Sequence, residues 1–244
     1  MGFDTGLAVE RVLEQGDEWQ VWRASHLAGP ISSGMPQIPY QDELGGFLGP
    51  TDQPSPGSTG EGLCHLKVIG LADSAAAVIA ADWLLEMRTP AMAWLDRPAD
   101  VPGELDSPGG ARVWASAAAA AGLLSIGVDP GPRVFDLLRG EADSDGRFTG
   151  GAYPTFAAAA AYWMKDGAES EMAQWSLKWA REIDEPEPWE LATALTFWLA
   201  ADISPDHPTV SVFLDLLISR SQPEGFPDDL GLTVRTLELA GLII

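Results

Sequence analysis

The chain repeats itself. Val134-Phe135-Asp136-Leu137-Leu138 matches Phe213-Leu214-Asp215-Leu216-Leu217, and in each case a glycine stands twelve residues after the first of the five, as Gly146 and Gly225. A phenylalanine follows each glycine, in Gly146-Arg147-Phe148 and Gly225-Phe226, and a second apolar segment then begins. Marker positions of these second segments, Trp114, Tyr153, Trp189 and Leu230, are spaced 39, 36 and 41 residues apart. Asp82-Trp83-Leu84-Leu85 and Ser176-Leu177-Lys178-Trp179 read as degenerate copies of the first string. A period near forty residues means helix–loop–helix units that stack because none buries its apolar face alone. The alternative is an irregular helical bundle with a chance similarity between two segments.

The segments themselves read as helix. Alanine runs at 75–77, 117–121 and 157–161 favour helices and let them approach closely. Val210, Phe213 and Leu217 recur at helical spacing, as do Leu230, Val234 and Leu237. Ser204-Pro205-Asp206 reads as a helix start, and Gly122, Gly140 and Gly167 as helix ends. Gly and Pro crowd residues 29–61 and 97–110, which read as loops. A loop as long as the first is uncommon in a compact domain and is usually functional or mobile. The expectation is one all-α domain over 1–244 with about eleven helices. Two lie within 6–28, the loop 29–61 follows, then a helix near 62–72 opens the repeats, which run to 243.

Composition narrows the functions. The chain has 14 Lys and Arg against 36 Asp and Glu, a formal charge of −22, so it offers little basic surface for nucleic acid or an anionic membrane. With 46% hydrophobic and 9% aromatic residues it can bury a core, which argues against disorder. Cys64 is the one cysteine, so no intrachain disulfide forms. No signal peptide is visible at the start, and the apolar stretch 113–128 is shorter than the ~20 residues of a membrane helix. A cytoplasmic location is expected.

A helix ending in Leu-Leu, a polar loop ending in Gly-aromatic, and a second helix rich in alanine and aromatics resemble the repeat of the prenyltransferase/squalene-cyclase superfamily. Ser221-Gln222-Pro223-Glu224-Gly225-Phe226 is similar to its Gln-x-x-x-Gly-x-Trp motif. One residue is missing on each side of the glycine, and Phe replaces Trp. Gln15-Gly16-Asp17-Glu18-Trp19-Gln20-Val21-Trp22-Arg23 resembles small bacterial members. The resemblance covers roughly 75–243. It implies an α/α toroid, a partial barrel of helical hairpins whose second helices line the interior. The Asp-x-Asp-Asp acid motif of the cyclases is not present; Asp143-Ser144-Asp145-Gly146 and Pro227-Asp228-Asp229 are partial matches. The zinc ligands of the protein prenyltransferases are not matched either. Cys64 and His65 are adjacent, so one helix face cannot present both, and neither metal nor cofactor is expected.

Carried over by position, the inner-helix N-termini are 61–65, 106–114, 149–155, 188–190 and 228–233. Helix N-termini suit an anion such as a diphosphate. Trp114, Tyr153 and Trp189 fall there, and aromatic faces attract a carbocation. An acid buried among them would have a raised pKa and could protonate an alkene or epoxide. Asp106, Asp228 and Asp229 are the candidates. Asp106 before Ser107-Pro108 also fits a turn, and Asp228 and Asp229 before Leu230 also fit helix caps. His65, Arg112, Trp114, Tyr153 and Trp189 are candidate substrate contacts. Arg112 and Lys67 equally suit ion pairs, His65 a packed or surface residue, and the aromatics a core. Three functions stay open. One is a terpene cyclase-like enzyme of isoprenoid or natural-product biosynthesis, cyclising a neutral apolar polyene or prenylated substrate in a central cavity. Another is a carbohydrate-active toroid with two facing carboxylates. The third is a non-catalytic binder of an apolar ligand or a protein.

Overall fold

The computed structural model describes residues 2–28 and 34–241. The described residues form eleven α-helices: α1 Thr5–Gln15, α2 Glu18–Ala28, α3 Pro56–Val68, α4 Ala75–Glu86, α5 Gly110–Ser125, α6 Pro132–Gly140, α7 Ala152–Asp166, α8 Glu171–Ala180, α9 Pro188–Ala200, α10 Pro208–Arg220 and α11 Leu230–Gly241. A 3-10 turn spans Pro98–Asp100, and extended pairing is limited to isolated bridges. The two repeat strings lie on α6 and α10, and their degenerate copies on α4 and α8.

The boundaries differ from the sequence reading in three places. Helix α3 starts at Pro56, inside the expected loop 29–61, and ends at Val68. Ser55 caps it by accepting from the Ser58 N–H, and Pro56 fills the first position, where its missing N–H costs nothing. Its glycines serve packing: a methyl on Gly60 would lie 2.2 Å from the Ala118 backbone of α5. Gly122 does not end α5, because it lies against Gly60 on α3 and the helix continues to Ser125. Helix α10 starts at Pro208 with His207 as its cap, not at Ser204–Asp206. Residues 29–33 of the expected loop lie outside the described residues.

The chain groups into two compact units. The first comprises Met1–Pro39, Pro186–Leu195 and Pro205–Ile244; the second comprises Tyr40–Glu185 and Thr196–Ser204. In the first, Ala8 and Val12 of α1 meet Ala24 of α2 and Val234 and Leu237 of α11. There Arg23 and Glu238 form a buried two-pronged ion pair, with both contacts at 2.5 Å. In the second, α3, α5 and α7 pack side by side, and α4, α6 and α8 join them. Alanine makes this possible: every residue from Val113 to Leu123 of α5 is buried, as is every residue from Tyr153 to Tyr162 of α7. The outer helix α6 instead buries only Val134, Phe135 and Leu138.

One corner recurs three times. Phe47, Phe148 and Phe226 each donate their backbone N–H to a threonine hydroxyl, Thr59, Thr155 and Thr233 respectively, at 2.9 Å in every case. Each threonine hydroxyl donates in turn to the carbonyl four residues back, Ser55, Gly151 or Asp229. The glycine of each turn has positive φ: Gly45 (+104°), Gly146 (+91°) and Gly225 (+98°). At Gly146 a side chain is also excluded by space, since its Cβ would lie 2.4 Å from the Trp175 backbone of α8. Gln41-Asp42-Glu43-Leu44-Gly45-Gly46-Phe47 has the full Gln-x-x-x-Gly-x-aromatic spacing, inside the stretch read as loop. The Gln41 amide donates to the carbonyls of Gly45 and Ala76, which fastens the turn to the start of α4.

Candidate functional site

The site grows from the segment between α4 and α5. Trp94 is fully buried; its indole N–H donates to the Leu84 carbonyl at 2.7 Å, and its backbone N–H to Ser116 Oγ at 3.2 Å. Pinned to both helices, the extended segment then alternates, turning Leu95 outward and Asp96 inward. Asp96 is 6% exposed. Its Oδ2 accepts the Gly57 N–H in the first turn of α3 at 3.1 Å. Its Oδ1 is buried without a hydrogen-bond partner among the described residues. Burial pushes the carboxyl up to about 7, with the Asp100 charge adding to it. The Gly57 N–H, nearby Ser55 and Arg97 act the other way and do not overcome burial.

Asp100, four residues on, has the opposite fate. Burial alone would raise its carboxyl, but hydrogen bonds from Arg97 and Thr51 outweigh burial and hold it low. Arg97 reaches Oδ2 through Nε at 2.6 Å and Oδ1 through Nη2 at 3.0 Å, and Thr51 Oγ1 also donates to Oδ1. Two neighbouring carboxyls are thus pushed apart, one held as the acid and one as the anion, an arrangement that assigns roles to acid pairs.

Trp114 of α5 stands beside Asp96. It is fully buried, and its indole N–H has no hydrogen-bond partner among the described residues. Tyr153 and Phe197 meet its ring edge-to-face, with centroids at 6.1 and 5.9 Å. Phe156 continues the series against Tyr153 at 6.3 Å and against Trp198 at 5.6 Å. A buried acid and five buried aromatic rings therefore share one unit.

The residues singled out from sequence are distributed differently. The structure brings Trp114 and Tyr153 together. Asp106 is exposed, ion-paired with Arg147, and accepts the Gly150 N–H at 2.9 Å. A small cavity of about 300 Å³ adjoins it, but Ser107, Asp143, Arg147 and Thr149 make its lining polar. Asp228 is exposed. Asp229 caps α11 through the Leu232 N–H, and its other oxygen accepts the indole N–H of Trp189, each at 2.8 Å. Trp189 is itself 41% exposed, and Arg112 is ion-paired with Glu141 at 2.5 Å. His65 is buried in the last turn of α3 instead of at a helix start, because α3 begins at Pro56. A buried acid beside an aromatic ring is found next to Trp114, at Asp96, a residue the sequence does not single out. The one signal it left was Asp96-Arg97-Pro98-Ala99-Asp100, two acids four apart around an arginine.

Among the described residues, no three His, Cys, Asp or Glu side chains come together as a metal site, and no helix is long and apolar enough to cross a membrane. No protein-family model matches the chain, and no curated protein matches its sequence. A solved structure is similar in fold. The apo structure of the type II terpene cyclase MstE from Scytonema superposes with a TM-score of 0.51 at 15% identity, over 98% of this chain and 85% of that one. The likeness shows the fold, an all-α α/α toroid.

Proposed function

We propose that the protein is a terpene cyclase-like enzyme in which Asp96 starts the reaction by protonating a neutral apolar polyene or prenylated substrate. The observation that carries this reading is Asp96 itself, a buried carboxyl with an unpartnered oxygen and a pKa raised to about 7. A buried unpartnered acid costs stability, and such costs concentrate at functional sites. A carboxyl with a raised pKa keeps its proton and can give it to carbon. The rings of Trp114, Tyr153, Phe156, Phe197 and Trp198 lie in the same unit as Asp96, and aromatic faces attract a carbocation by about 0.5–2 kcal/mol each. The overall change is an isomerisation, since a proton is gained at the start and lost at the end.

The other two readings fit less well. Paired-acid glycoside chemistry requires a second free carboxyl, and both oxygens of Asp100 are already held by Arg97 and Thr51. A ligand binder without catalysis gives no reason for a costly acid. Likeness to MstE supports a cyclase by analogy of fold alone. The test is incubation with prenyl diphosphates, polyprenyl alcohols and polyprene epoxides, with and without Mg²⁺, and product analysis by gas chromatography and mass spectrometry. A cyclised isomer of at least one substrate is expected. Unchanged substrate across the panel refutes the reading.

A further inference from the structure

An acid that protonates carbon must leave a stable conjugate base, and the structure provides more donors for that base than the resting acid uses. A methyl group built on Gly57 would lie 2.0 Å from Trp114 Nε1 and 2.6 Å from Asp96 Oδ2. The indole N–H and the carboxyl thus stand over the same side of one glycine. The Gly57 N–H already donates to Oδ2, while the indole N–H, fully buried, donates to nothing among the described residues. A buried donor left unpaired is uncommon and costly. Nothing about the packing of Trp114 requires it, since its ring contacts with Tyr153 and Phe197 are met by the faces and edges of the rings.

We propose that Trp114 is a positioning residue for the acid: its indole N–H and the Gly57 N–H form a two-donor cradle for the carboxylate left on Asp96 after proton transfer. This rests on the reading of Asp96 as the proton donor. The proton sits on the unpartnered Oδ1. As it passes to an alkene carbon, the O–H bond breaks, a C–H bond forms from the alkene's electron pair, and the O–H electron pair stays on the carboxylate. The Trp114 N–H then closes on Oδ2 beside the Gly57 N–H, at the positive end of the α3 dipole. The proton lost from the final cation goes to water, and solvent reprotonates Asp96. Two charged groups act on Asp96, namely Asp100 and Arg97. The groups beside it at the cap and first turn of α3 and on α5, Ser55, Gly57 and Trp114, are neutral. Any side chain at position 57 would fill the space where the donors converge, which explains a glycine in the first turn of α3.

The test reads the acid directly, without substrate. The infrared C=O band of protonated Asp96, identified by its loss in Asp96→Asn, is titrated with pH in the wild type, in Trp114→Phe, and with Trp114 replaced by 3-benzothienylalanine. The last keeps the ring's size and lacks the N–H, so it answers should Trp114→Phe fold poorly. Loss of the donor destabilises the carboxylate, and the midpoint is expected to rise by about one pH unit, a tenfold weaker acid. A midpoint that stays put or falls overturns the cradle, whatever the substrate panel gives. A raised midpoint with no product from any substrate keeps the cradle and overturns the cyclase reading.

Discussion

Replacing Asp96 by Asn should change how stability depends on pH, and the size of the change follows from the site. The ordinary carboxyl value is 3.8, and burial raises that of Asp96 to about 7. Between these two values the folded protein holds a proton that the unfolded chain has lost. Stability therefore falls as pH rises through the window, from about 4 to about 7. Below it both states are protonated and Asp96 carries no penalty; above it the penalty is complete. A shift of roughly three units at about 1.4 kcal/mol each gives roughly 4 kcal/mol. The Asn side chain has the same shape and cannot ionise. Urea unfolding of wild type and Asp96→Asn at each pH from 4 to 8 isolates the effect, because the other acids contribute nearly equally to both. The variant should gain on the wild type steadily across the window, by about 4 kcal/mol in total, and the difference should level off above it. A flat difference, or one that shrinks as pH rises, would refute the argument that Asp96 is a desolvated acid.

Three further changes probe the frame around the site. Thr155→Val keeps the shape of the repeated corner but leaves the Phe148 N–H buried without its acceptor; a loss of about 1–3 kcal/mol is expected in urea unfolding. Gly146→Ala meets both the positive φ and the Trp175 backbone, so it should destabilise by more than the ~1 kcal/mol of a strained turn residue alone, with a lower Tm by calorimetry. Arg23→Ala removes the guanidinium that pairs with buried Glu238 and should cost about 3–5 kcal/mol, whereas the joint change Arg23→Met with Glu238→Leu should recover most of the loss. Recovery in the double variant separates loss of charge pairing from simple loss of packing.

Much of the architecture could be read from the chain because repetition and alanine act locally. The Leu-Leu strings of α6 and α10, the glycine turns behind them and the apolar faces of α5 and α7 depend on near neighbours, so sequence displays them. The start of α3 did not show, because Gly57, Gly60 and Gly62 have the composition of a loop. Their reason for being glycine lies elsewhere in the fold, at Trp114 for Gly57, Ala118 for Gly60 and Phe47 for Gly62. The turn at Gln41–Phe47, with the fullest motif spacing, was hidden by the same loop-like surroundings. The site was less legible still. Asp106, Asp228 and Asp229 stand where helix starts were expected, yet a start exposes side chains as readily as it buries them. Asp96 points inward because Trp94 is fixed to α4 and α5, an anchoring made by residues distant in the chain. Burial of a single carboxyl is a property of the assembled helices, and no spacing along the chain encodes it.

The identity of the proton donor is tested most directly by turnover in D₂O. A polyprene that the wild type cyclises is supplied to wild type, Asp96→Asn and Asp106→Asn, and products are weighed by mass spectrometry. The predicted result is one solvent deuterium in each wild-type and Asp106→Asn product molecule, with turnover lost or cut by at least ~100-fold in Asp96→Asn, in line with loss of a general acid. Cyclised product formed by Asp96→Asn at the wild-type rate, or product without deuterium, would contradict the assignment.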